Sequence, residues 1–139
     1  PVVLPERVTQ ELCAWLSDTR LKTIVVIHAN HAQELDESTH LACKRLADSG
    51  ATLLNQSVLL RGVNDSVAAL TQLSEALFAA GVLPYYLHLL DRVQGAAHFD
   101  VNEEVARQLL LGLNSRLPGY LVPRLVREVP GAPGKELVA

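Results

Sequence analysis

The feature that most constrains this chain is the spacing of its three β-rich apolar runs. They begin at Ile24, Leu53 and Tyr85, intervals of 29 and 32 residues. That is the length of a strand, a crossover helix and the next strand. Thr23-Ile24-Val25-Val26-Ile27-His28 is a continuous β-branched run with the look of a strand buried on both faces. Thr52 to Val58 and Tyr85 to Leu90 read as the next two strands. Helical patterns fill the gaps. Residues 5–19 put Val8, Leu12, Trp15 and Leu16 on one face, and residues 36–49 put Leu41, Ala42 and Leu46 inward with Gly50 past the end. Asp65 or Ser66 caps a helix with Val67, Leu70, Leu73 and Leu77 on its face, which Gly81 ends. Asn102 caps another, with Val105, Leu109 and Leu113 on its face. A last extended piece runs from Tyr120 to Val129, interrupted by Pro123. Buried strands separated by helices run parallel through right-handed crossovers. The expectation is an α/β fold, either a slice of a (β/α) barrel or a small doubly wound sheet.

Composition narrows the class. With 49% hydrophobic and 19% charged residues, the 139-residue chain builds a core of single-domain size and is not a disordered tail. Its apolar runs fall far short of the ~18 residues of a membrane span, so no membrane partner is expected. A net charge of -3 argues against a nucleic-acid module. Cys13 and Cys43 lack metal-type spacing, so they read as thiols in a reducing cytoplasm, with no metal site. The chain contains no Met and starts at Pro1, which suggests a processed N-terminus or a piece of a longer protein.

Polar residues gather where a parallel α/β fold binds ligands, at the C-terminal ends of its strands. The first strand ends in His28-Ala29-Asn30-His31, the second carries Asn55-Gln56, and the third holds His88 and ends in Asp91. One histidine at a strand end is more often structural. An amide pair inside an apolar strand must bond to backbone, water or ligand, because burial without partners costs about 1–3 kcal/mol. Gly131-Ala132-Pro133-Gly134-Lys135 is not a phosphate loop: Val129 stands where the first Gly is needed, and Glu136 where Ser or Thr is needed. Lys135 is then either a solvated surface lysine or a rim lysine able to form a Schiff base.

His28-Ala29-Asn30-His31, the run Asn55-Gln56-Ser57-Val58-Leu59-Leu60-Arg61-Gly62-Val63-Asn64-Asp65, Pro84-Tyr85-Tyr86-Leu87-His88, Gly119-Tyr120-Leu121-Val122-Pro123 and the Lys135 loop together resemble the C-terminal part of the lysine 2,3-aminomutase family. The likeness covers essentially the whole chain. Residues 90–99 look most like the bacterial branch that makes β-lysine for elongation factor P. The resemblance implies a radical S-adenosylmethionine (SAM) enzyme of partial TIM-like barrel fold, with residues 119–139 as a terminal segment bearing the pyridoxal-lysine loop. It implies pyridoxal phosphate, SAM and a 4Fe–4S cluster as cofactors, L-lysine as substrate, and migration of its amino group from C2 to C3. By position, Lys135 matches the lysine that binds pyridoxal phosphate. Asp91 and Glu128 match the acidic residues that receive the substrate's side-chain ammonium; Glu128 is one methylene longer than the Asp of clostridial-type members. His28 and Gln56 match positions near SAM, while His31 and His98 lie in matching motifs without an assigned role. The C-x-x-x-C-x-x-C cluster motif is absent from these residues, as is the cysteine-rich zinc tail of clostridial-type members. The implied partner is therefore the missing N-terminal half of the same polypeptide, without which this chain should be inactive. The competing expectations are a stand-alone α/β ligand-binding module without catalysis, and an interaction fragment whose exposed edges need a partner.

Overall fold

The computed structural model describes residues 4–90 and 98–138. Four α-helices and five strands are present among them: α1 (Gln10–Asp18), β1 (Ile24–His28), α2 (Glu37–Asp48), β2 (Thr52–Leu59), α3 (Val67–Ala79), β3 (Val82–Leu89), α4 (Glu103–Arg116), β4 (Arg124–Arg127) and β5 (Glu136–Leu137). Each helix begins where a side chain satisfies the free N–H groups of its first turn. Thr9, Asp36, Ser66 and Asn102 accept from Leu12, Thr39, Ala69 and Glu104. Ser66, not Asp65, is thus the α3 cap; Asp65 instead accepts from the Gly62 amide at 3.0 Å. Gly50 and Gly81 close α2 and α3 with φ of +95° and +78°, a conformation that suits glycine.

The strands form one sheet in the order β1-β2-β3-β4-β5, and the first four run parallel. A doubly wound sheet reverses strand order at a switch point. This one advances by a single strand at each crossover, so its helices all cover the same face. The order decides for the barrel slice. Residues at alternate positions face the helices: Ile27, Leu53 and Val82 join one core cluster, and Leu59, Leu87, Leu89 and Leu125 another.

Among the described residues nothing covers the opposite face, and here the expectation of strands buried on both faces fails. Ile24 is 60% exposed, and Val26 and Leu83, which the register puts on the same face, are exposed as well. Most predicted inward helix residues are buried, but the faces are narrower than expected. Trp15 (65%), Leu12, Leu41 and Val105 are exposed, while Leu16, Cys43 and Ala106 take the inward positions. Helices packed on a sheet bury one narrow stripe, and apolar residues beside it stay in solvent. The extended segment from Tyr120 is instead a short 3-10 turn, Gly119–Leu121, followed by β4. No described helix is long and apolar enough to cross a membrane.

Candidate active site

The open face carries the polar residues, and register aligns them. His28 pairs with Gln56, Gln56 with Tyr86, and Tyr86 with Arg124, so one row crosses β1 to β4. Val58, His88 and Val126 form the next row towards the C-terminal ends. Pro84 lacks the N–H that the ladder needs, and pairing slips there: Asn55 opposes Pro84, but Gln56 opposes Tyr86. The bulge stacks the Tyr85 and Tyr86 rings with centroids 3.8 Å apart, and the Tyr85 hydroxyl donates to that of Tyr86 at 2.9 Å. That hydrogen bond, with smaller help from burial, raises the Tyr85 phenol pKa.

Lys135 reaches this face through a tight turn. Pro130-Gly131 sit at the corner, Gly131 has φ +81°, and the Ala132 N–H donates to the Val129 carbonyl at 3.0 Å. The chain reverses, so β5 runs antiparallel to β4 with Leu137 opposite Val126 and Glu136 opposite Arg127. One step further along that register, Lys135 lies beside Glu128. Their charged groups are 3.5 Å apart, and the Lys135 ammonium stands 5.5 Å from the Tyr86 ring centroid. The Glu128 side chain is 72% exposed and that of Lys135 28%, so the pair contributes little to stability.

A concavity of about 570 Å³ opens between these elements, lined among others by His28, Gln56, His88 and Glu128. A volume of this order suits a small organic ligand. Its neighbours, of about 340 and 310 Å³, are also lined by Glu128, and the smaller reaches Lys135. The His88 Nε2 lies 3.3 Å from the Gln56 Oε1. Burial, then the positive charge of Lys135, lower the His88 pKa against an opposing pull from Glu128. These causes together favour the neutral form of His88.

His28, Gln56, Glu128 and Lys135 thus share one face. Asp91 lies outside the described residues. Asn55 is not a ligand group: it is 1% exposed and fully bonded, accepting from the Ala29 N–H (2.8 Å) and donating to the Ala29 carbonyl (3.1 Å) and Ser57 Oγ (2.9 Å). His31 accepts from the Gln33 amide at 3.2 Å, a local turn contact. The His98 carbonyl accepts from the Arg61 guanidinium at 3.2 Å. The strands alone did not reveal Tyr86, because its contact with Lys135 depends on the return of β5.

The residues present fit an amine-anchored cofactor: Lys135 offers a partly accessible amine at the mouth of a concavity. They do not fit an iron–sulfur cluster. Cys43 is fully buried, Cys13 lies on α1, and no group of three or more metal-ligating side chains occurs among the described residues.

No family model matches the chain. It is 52% identical over 139 residues to a protein named L-lysine 2,3-aminomutase from Haemophilus influenzae, covering 100% of this chain and 41% of the relative. A protein of the same name from Escherichia coli is 52% identical over 135 residues, covering 97% and 40%. Another from Clostridium subterminale is 41% identical, covering 97% and 32%. The chain thus spans about two-fifths of the length of the first two relatives. Among solved structures, a radical SAM methyltransferase from Sphaerobacter thermophilus superposes with a TM-score of 0.53 at 20% identity, over 84% of this chain and 37% of that one, a likeness of fold. From end to end, the chain is homologous to the C-terminal part of the L-lysine 2,3-aminomutases.

Proposed function

We propose that this chain is the part of an L-lysine 2,3-aminomutase that anchors pyridoxal phosphate and reads the substrate's side-chain ammonium. The observation that carries the reading is the convergence of Lys135, Glu128, His88, Gln56 and His28 on one open sheet face, in a chain homologous throughout to proteins of that name. Lys135 holds the cofactor through its amine. Glu128 and Asp91 supply negative charge for one ammonium, which favours lysine over a neutral or acidic amino acid. His88, whose protonated form is disfavoured, suits a pocket that admits a cation. His28 and Gln56 line the part of the concavity assigned to SAM. When bound, pyridoxal phosphate carries the migrating nitrogen, and SAM with a 4Fe–4S cluster supplies the initiating radical. With only Cys13 and Cys43 in these 139 residues, the cluster's ligands would come from elsewhere in the full-length protein. β-Lysine destined for elongation factor P in the cytoplasm is the product that the likeness of residues 90–99 favours. A stand-alone binding module is disfavoured by Ile24 and Leu83, apolar residues left in solvent on the same face.

The full-length protein tests the proposal. Added pyridoxal phosphate should give a Schiff-base absorbance that Lys135→Ala abolishes. Under anaerobic reducing conditions with SAM, L-lysine should yield β-lysine by mass spectrometry. An absorbance indifferent to Lys135→Ala would return Lys135 to an ordinary loop residue, and the absence of β-lysine would refute the activity.

A further inference from the structure

The ladder between β1 and β2 ends at His28 and Gln56. Beyond it, side chains take over. The Asn30 Oδ1 accepts from the Val58 N–H at 2.9 Å. The Asn64 amide donates to both the Asn30 and Val58 carbonyls, each at 2.9 Å, and its Oδ1 accepts from the Leu60 N–H at 2.8 Å. Asn55 holds both backbone groups of Ala29. Three asparagines thus extend the β1–β2 pairing by two residues, directly beyond His28 and across from Val58, both of which line the concavity. Asn55 and Asn64 are completely enclosed, at 1% and 0% exposure, whereas Asn30 is half-buried. An asparagine that spends its side chain on another strand's backbone fixes where the adjoining residue points.

We propose that Asn30 is a positioning residue for the ligand bound at His28 and Gln56: by clamping the β1 exit to Val58, it sets the separation of those two side chains. The proposal rests on the reading that this subsite takes SAM. It makes a chemically specific demand, because Asn30 uses its side chain only as an acceptor toward Val58. Aspartate keeps that oxygen; alanine removes it. Water reaches this half-buried position, so Asn30→Ala is compatible with folding.

The experiment measures SAM affinity by calorimetry in anaerobically reconstituted full-length protein, alongside the Lys135-dependent pyridoxal absorbance of the same sample. Asn30→Ala should weaken SAM binding about tenfold, the scale of one lost hydrogen bond, with the pyridoxal absorbance unchanged. Asn30→Asp should restore affinity to within about threefold of wild type. Wild-type affinity in Asn30→Ala would overturn the proposal. So would failure of Asn30→Asp alongside it, or a parallel loss of pyridoxal binding, which would make Asn30 a general stabiliser. A wild-type protein without SAM affinity would instead refute the functional reading, and this proposal with it.

Discussion

Replacing Asn55 tests how the open face is held in place. Ala29 is fully buried, and both its N–H and its carbonyl bond to the Asn55 side chain. Asn55→Leu keeps the branched shape with somewhat more bulk, removes both partners and excludes water. Two orphaned backbone groups at about 1–3 kcal/mol each give a loss of roughly 2–6 kcal/mol. That is a large share of the ~5–15 kcal/mol by which a domain is stable. Asn55→Ala leaves a space bordered by the Ala29 N–H, the Ala29 carbonyl and Ser57 Oγ. Three polar partners suffice to hold a water, so this variant should lose only about 2–3 kcal/mol. The order is the test: the smaller substitution should be the milder one, opposite to the usual rule for a core side chain. Urea unfolding of the cofactor-free full-length protein, followed by circular dichroism, measures it, with an unchanged m-value as the control. Equal losses in the two variants, or a loss below about 1 kcal/mol in Asn55→Leu, would refute the reasoning.

Two further outcomes are expected. His88 should titrate below the usual histidine value of about 6.5, because burial and the charge of Lys135 disfavour its protonated form. The unfolded chain then binds more protons between the folded pKa and about 6.5, so the His88 contribution to stability is complete above that window and lost as pH falls through it. By NMR titration, Lys135→Ala should raise the His88 pKa and Glu128→Gln should lower it further; shifts of the same sign in both variants would contradict the assigned causes. On α4, Leu113→Ala should cost about 2–5 kcal/mol, since Leu113 is fully buried. The exposed Val105→Ala should stay within about 0.5 kcal/mol in thermal or urea unfolding; similar losses would mean that α4 presents a different face to the sheet.

Much of the architecture is legible in the chain. Strand spacing near 30 residues, Asn and Ser caps, and glycines after α2 and α3 are local signals, and each maps to an element. Helix faces are less legible. Leu12, Leu41 and Val105 fit a helical stripe as well as Leu16, Cys43 and Ala106 do, because a hydropathy pattern on a short helix is satisfied by more than one rotation. Only contact with the sheet selects one. Asn55 and Gln56 show the same limit inside a strand. They are neighbours in sequence, yet the two-residue period of a strand sends Asn55 to the helix side as a brace and Gln56 to the open face as a pocket residue.

The sequence by itself determined the class of fold, the polar character of the strand ends and the likeness that points to Lys135 and Glu128. It did so because secondary-structure period, capping and motif spacing are local properties of a chain. The tertiary structure decided three things that local chemistry leaves open. It chose a barrel slice over a doubly wound sheet, through strand order. It left one sheet face uncovered, although the strand composition suited burial on both sides. It also brought Lys135 beside Glu128 and Tyr86, because a Pro-Gly turn and one antiparallel pairing fold the last residues back onto β4. Such contacts depend on register between segments distant in sequence, and register is set only when the whole sheet assembles.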